Sequence, residues 1–203
     1  MLHFDASTHT YTIGGERLPS VTQVLDMLTD LDQIPAHKLR YAAERGDAVH
    51  YGCELHDTDE LDWDTLEAEL VPYVEAWIKF RRQTGFVPDK IEHRMFHPSM
   101  RFAGTLDRTG ILYERPAIVD IKAVVKTYPS TGPQLAAYET LLKVTEPDGP
   151  KAYDRYAVQL CKDGTYRLHP YKDPADFGVF VSALTLWKWA NRNQQRIHYE
   201  PKG

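Results

Sequence analysis

The segment Ile118-Val119-Asp120-Ile121-Lys122-Ala123 constrains this chain more than any other stretch. It reads as a strand, on which side chains alternate between faces. Asp120 and Lys122 therefore point one way, and Val119 and Ile121 the other. An acid and an amine on one face of a central strand cost free energy unless they pair or act on something. A buried or edge salt bridge meets that condition as well as a catalytic pair does. The preceding strand, Phe102-Ala103-Gly104-Thr105-Leu106-Asp107-Arg108, adds a second acid. Asp107 lies thirteen residues before Asp120, a separation that a hairpin connection closes. Two carboxylates and an amine then converge on one sheet face, which is the donor chemistry that holds Mg²⁺ or Mn²⁺. Gly104 suits a strand position approached closely by another backbone or a ligand, and a simple bulge accounts for it equally.

The remaining elements frame that pair. Thr10 to Ile13, Gly14-Gly15 and Arg17-Leu18 read as a hairpin. Ser20 is a good N-cap for a helix from Val21 to Leu31, with Val21, Val24, Leu25 and Leu28 on one face. Pro35 opens a helix to about Leu55, and a third covers about Thr65 to Thr84, with Pro72 as a kink or restart and Gly85 as its stop. Strands are expected over Lys90–Phe96, Ala103–Leu112 and Ala117–Val124, followed by a helix over Gln134–Val144. A second hairpin spans Arg155–Cys161 and Thr165–Pro170, and an amphipathic helix from Pro174 to Gln195 buries Phe177, Phe180, Leu184 and Trp187. This order predicts an α/β fold, a single mixed β-sheet core with helices on both sides. The 203 residues suit one domain: 1–85 a hairpin and helical part, 86–203 the sheet core and C-terminal helix.

Charge distribution matters more than its sum of −5. Glu54 to Glu75 holds nine acids and no Lys or Arg, whereas Ala76 to Tyr128 holds ten Lys/Arg against five Asp/Glu. The total argues against a protein that coats nucleic acid through bulk charge, yet it permits a local cationic groove. Arg81, Arg82, Arg94, Arg101, Arg108 and Lys126 are the candidates for it. Two cysteines, Cys53 and Cys161, are too few for a disulfide framework, a four-cysteine zinc site or an iron–sulfur cluster. No apolar run reaches the length of a membrane span and no signal-peptide core is evident, so a cytoplasmic location without membrane contact is expected.

Two further groups bear on chemistry. Leu39, Ala43, Gly46, His50 and Cys53 share one face of the second helix, and Gly46 there costs about 1 kcal/mol relative to Ala unless a tight helix–sheet approach requires it. His50 is either a hydrogen-bonded core histidine or a ligand beside the carboxylates. Gln134 and Tyr138, at i and i+4, are either a surface amide with a half-buried ring or a polar pair able to contact phosphate or a base.

Taken together, Gly46…His50, Gly104-Thr105-Leu106-Asp107, Asp120-Ile121-Lys122 and Gln134…Tyr138 resemble the RecB-type branch of the PD-(D/E)XK nuclease superfamily. Tyr11-Thr12-Ile13, Leu18-Pro19-Ser20-Val21-Thr22 and Arg45-Gly46…His50 are similar to its phage and mitochondrial-maintenance exonucleases. The resemblance spans roughly residues 10 to 140 and implies a restriction-endonuclease-like αβββαβ core. It further implies a Mg²⁺- or Mn²⁺-dependent DNA exonuclease serving recombination, repair or replication, with DNA as substrate and a protein of that machinery as a partner. One or two ions would be held by His50, Asp107, Asp120 and the carbonyl of Ile121. Asp107, Asp120 and Lys122 would be catalytic, with Glu92 an additional acid. Gln134, Tyr138, Arg94 and Arg108 would meet the substrate. The relatives that hold an iron–sulfur cluster carry four cysteines, so none is expected here. A structure-selective endonuclease on the same core, a catalytically silent DNA-binding or assembly subunit, and an unrelated α/β domain are the competing readings.

Overall fold

Where the backbone pairs, and where it stops pairing, decides what this fold can do. The computed structural model describes residues 1–29 and 34–194. Three short strands, β1 (Leu2–Asp5), β2 (Thr10–Ile13) and β3 (Glu16–Leu18), form an antiparallel sheet in that order. Helices α1 (Val21–Leu25), α2 (Ala36–Asp57) and α3 (Val71–Thr84) follow. Strands β4 (Val87–His97), β5 (Phe102–Leu112) and β6 (Arg115–Lys122) lead into α4 (Thr131–Thr145). Then come β7 (Asp154–Leu160), β8 (Tyr166–Tyr171) and α5 (Asp176–Arg192). The main sheet is five-stranded, in the order β4-β5-β6-β7-β8. Only β6 and β7 run parallel, and α4 is the crossover that such a pair requires. The expected mixed sheet flanked by helices, in αβββαβ order, is what the chain forms.

Each sheet face has its own core. Met95, Phe102, Leu106 and Ile118 pack under α1, α4 and α5. Val119, Ile121, Leu112 and Val158 pack under α2 and α3 around Trp77 and Phe80. Ile118 on one face and Val119 and Ile121 on the other reproduce the two-residue alternation expected of β6. The small sheet buries Tyr11 and Leu18 against Ala103 at the start of β5.

Several boundaries differ for identifiable reasons. Ser20 does cap α1, in a capping box with Gln23. The helix nevertheless ends at Leu25 and runs on as a 3-10 turn over Asp26–Leu28, where Leu28 is exposed and no longer continues the apolar face. Its expected end at Leu31 lies outside the described residues, as does Gln195 at the end of the last helix. The third helix begins at Val71 rather than Thr65, because Pro72, lacking an N–H, sits in the first turn where none is needed. Gly85 stops it in the left-handed conformation, φ 71°. Strand β1 was not apparent from the hairpin pattern alone; it adds Phe4 opposite Tyr11.

A buried ion pair ties α2 to the sheet. Arg108 is fully buried, donating through Nε to Asp57 Oδ2 (2.7 Å) and through Nη1 to Glu92 Oε1 (2.9 Å), with its guanidinium against Trp77. Asp57 is equally buried and accepts from Arg81 (2.6 Å) and Trp77 Nε1 (2.9 Å). Removing one partner of such a pair strands the other's charge. Asp57→Ala is expected to lower unfolding free energy by about 3–5 kcal/mol in urea titrations. The double variant Asp57→Leu/Arg108→Met should recover most of that loss.

Candidate active site

Strands β5 and β6 hydrogen-bond only from Leu112↔Arg115 to Arg108↔Val119. Beyond that point β5 continues beside β4 as far as Phe102, and β6 continues beside β7 as far as Lys122. The sheet forks there. A cleft of about 480 Å³ opens at the fork, and its lining includes His50, Glu92, Asp107, Asp120, Lys122, Gln134 and Tyr138. Residues on both sheet faces can therefore meet in one space, which unbroken pairing would forbid.

In place of a backbone partner, the Ile121 N–H donates to Asp107 Oδ2 (2.7 Å). From α2, His50 Nε2 donates to the Ile121 carbonyl (2.9 Å), and its Nδ1 lies 3.5 Å from Asp107 Oδ2. Glu92 sits at left-handed φ 47° beside a register shift in β4, a conformation uncommon for glutamate that turns its carboxylate inward. His50, Glu92 and Asp107 each bring one ligand atom within 4.8 Å of the others.

That group fits a divalent cation. With its proton on Nε2, His50 presents a bare Nδ1 lone pair to two carboxylates. Acceptors then face acceptors, and a cation satisfies all three. The carbonyl of Ile121, expected as a ligand, is engaged by His50 and retains one lone pair. Asp120 lies outside the compact donor group. Its Oδ2 is 2.8 Å from Lys122 Nζ and its Oδ1 accepts from Gln134 (3.0 Å), so the lysine already offsets its charge. Glu92, expected only as an additional acid, stands in the group instead.

Electrostatics follow from burial. Burial first, then the charge of Asp107, pushes Glu92 up to about 7, with His50 and Arg108 opposing. Burial raises Asp120 to about 6; Lys122 opposes the rise and Asp107 adds to it. For Lys122, burial disfavours the ammonium, but Asp120 and Asp107 outweigh it and the pKa rises. Lys122 is accordingly a cation. Burial, Asp120 and Asp107 also hold Tyr138 firmly as the phenol.

Gln134 and Tyr138 both line the cleft and are bonded to each other. The Gln134 amide accepts from Lys122 (3.1 Å) and donates to Asp120 (3.0 Å) and Tyr138 OH (3.3 Å), locking the acid and amine together. Gly104 does relieve a close approach, but of a side chain: a Cβ there would lie 2.8 Å from the Tyr138 ring and 3.2 Å from Val21. Gly46 does not serve tight packing, since a Cβ would meet nothing within 4 Å; it lines the cleft.

The expected cationic groove is not present at the cleft. Its lining holds Asp47, Glu54, Glu92, Asp107 and Asp120 against Arg94 and Lys122. Arg108, expected to meet the substrate, is buried against Asp57 and Glu92 and cannot. Arg81 is likewise turned inward to Asp57, and Arg101 is paired with Glu16. Arg82, Arg94 and Lys126 remain exposed. His93 and His97 lie on β4, where His93 Nε2 is 3.4 Å from Glu146 and His97 Nδ1 accepts from the Met100 N–H. Asp57 was missed because it lies in the acidic belt. Its signal was the spacing from His50 and Cys53 along one helix face.

No family model matches the chain, and no curated protein matches it. Among solved structures, an alkaline exonuclease from Laribacter hongkongensis, LHK-Exo, is similar at 15% identity and TM-score 0.44 over 86% of this chain and 88% of that one. LHK-Exo in complex with dAMP is similar at 16% identity and TM-score 0.44, over 87% and 89%.

Carboxylates raised in the folded state stabilise it at low pH, and that contribution disappears as pH climbs through the folded pKa. In chelator, the melting temperature should therefore fall between pH 4.5, the ordinary glutamate value, and about 7. Glu92→Gln should flatten the fall, and Mn²⁺ at the upper pH should restore the wild-type loss. Thermal melts across that range check both.

Proposed function

We propose that the chain is a metal-dependent nuclease of the PD-(D/E)XK type, residues 1–203 forming one nuclease domain, and that it hydrolyses phosphodiester bonds in DNA as an exonuclease. One observation carries the reading. A group of metal-type acceptors, His50, Glu92 and Asp107, stands beside a bonded Asp120–Lys122 pair where β5 and β6 part. An ordinary buried salt bridge needs no second set of carboxylates and no cleft. The exonuclease choice rests on the resemblance of the N-terminal hairpin and of Arg45-Gly46…His50.

A divalent Mg²⁺ or Mn²⁺ bound by His50, Glu92 and Asp107, with the Ile121 carbonyl in reach, would polarise the phosphate and lower the pKa of the attacking water. Lys122, held as an ammonium by Asp120 and aimed by Gln134, stabilises the negative charge that grows on the phosphoryl oxygens. A general-base role for it is disfavoured, because the carboxylates beside it strengthen its hold on the proton. Asp120 and Gln134 position the lysine, and Tyr138 supports the amide. Water attacks phosphorus, the P–O bond to the leaving sugar breaks, and a phosphomonoester and a free hydroxyl result. The acidic lining makes cation loading a precondition for admitting a polyanion, and the near-neutral titration of Glu92 ties that loading to pH.

Purified protein should degrade linear DNA in Mg²⁺ or Mn²⁺, leave covalently closed circles intact and be silent in chelator. Lys122→Ala and Asp107→Ala, verified as folded, should each lose about 100-fold or more in cleavage rate. Cleavage that persists in chelator, or in both variants, rejects the site. Cleavage of closed circles rejects the exonuclease and leaves an endonuclease.

A further inference from the structure

The N-terminal sheet forms one wall of the cleft beside Arg94 of β4, and the chemistry above gives that wall nothing to do. Phe4, His9 and Tyr11 line it. Their rings pack mutually, with Phe4 4.7 Å from Tyr11 and 5.1 Å from His9. Tyr11 is buried, and its hydroxyl is hydrogen-bonded to Thr105 on β5 at 2.6 Å. The wall is pinned to the main sheet, since the Ala103 N–H donates to the Pro19 carbonyl (2.9 Å) and Ser20 bridges to Ala103. Against this rigid backing, Arg94 lays its guanidinium over the Phe4 ring at 4.7 Å. Arg94 is exposed and makes no ion pair with a carboxylate among the described residues, and His9 beside the ring is exposed too.

Tyr11 belongs to the small core, but Phe4 is only half-buried, and Arg94 is held over its ring rather than left free as a solvated surface arginine. Thr105 and Arg94 each stand two residues along their strands from Asp107 and Glu92. On β5 that step is about 7 Å along the strand, so Thr105, which holds Tyr11, neighbours Asp107 in the cleft lining. A guanidinium backed by an aromatic ring, in the lining of the same cleft as a phosphodiester site, matches a nucleobase rather than a second phosphate. Every base has a π face for a guanidinium or imidazole plane, so such a contact is indifferent to sequence.

The geometry points to a nucleobase subsite on this wall, in which Arg94, stiffened by Phe4 and flanked by His9, stacks on the unpaired base next to the cleaved phosphate. This rests on the nuclease reading and assigns the wall a specificity role, the demand for an unstacked base at the cut end.

The test uses the full chain in Mg²⁺ and single-stranded oligonucleotides whose terminal linkages are phosphorothioates. Binding is compared between an ordinary terminal nucleotide and an abasic one, placed at the 5′ end in one pair and at the 3′ end in another. Removing the base at one end should weaken wild-type binding about five- to a hundredfold. Phe4→Leu, which keeps apolar packing, and Arg94→Gln, at an exposed position, should each shrink that ratio several-fold. A wild-type ratio near one at both ends, binding of neither member of a pair, or variants that lose affinity equally for both members overturns the subsite. Cleavage of unmodified oligonucleotide is scored separately. Cleavage with a ratio of one rejects the subsite alone, whereas a large ratio without cleavage rejects the nuclease reading and leaves the subsite standing.

Discussion

The parting of β5 from β6 beyond Arg108 and Val119 is the constraint on which the rest depends. A continuous sheet segregates its two faces, so His50 from α2 and Gln134 from α4 would never share a space. Once the pair separates, Asp107 takes the N–H that β5 backbone would have taken, and a side chain closes the fork. The exchange keeps a buried amide satisfied while placing a carboxylate at the opening. The same bond fixes the Ile121 carbonyl, which His50 then engages. One unpaired stretch of ladder thus organises the histidine, the acid and the end of the Asp120–Lys122 strand.

Charge is arranged around that opening in two settled groups. Arg108 and Asp57 cancel each other beneath the site, sealed by Trp77, and hold α2 where His50 can reach in. Lys122 and Asp120 cancel above it, with Gln134 as the bridge. Between them, Glu92 and Asp107 face one another, and burial together with the charge of Asp107 pushes Glu92 up to about 7 despite its bond to Arg108. A buried pair of carboxylates beside an imidazole lone pair is stable as a cation site or as a protonated one, and burial decides how strongly the two states compete.

Legibility from sequence varied with the range of the interaction. The alternation of Asp120 and Lys122 against Val119 and Ile121 is a property of any strand, and it appears as expected. The capping by Ser20, the stop at Gly85 and the hairpin at Gly14-Gly15 are also local and hold. Arg108 reads as a surface cation in the string of residues, yet its environment is set by Asp57, 51 positions away on another element. Gly46 and Gly104 look alike as glycines in regular structure. One faces open space in the cleft, and the other makes room for the Tyr138 ring. The acidic stretch that begins at Glu54 starts inside a helix, and because α2 runs on to Asp57, Glu54 reaches the cleft and Asp57 reaches Arg108 of β5.

The sequence by itself determined the order of the main elements, the face each residue of β6 occupies and the presence of an acid–amine pair on that strand. Those follow from backbone periodicity and turn chemistry, which act over a few residues. Only the tertiary structure decided that β5 and β6 separate, that Glu92 joins His50 and Asp107, that Arg108 is interior, and that the N-terminal sheet walls the cleft. Those outcomes depend on which distant side chain neutralises which charge and on where a hydrogen-bonded ladder ends, and neither is encoded in local pattern.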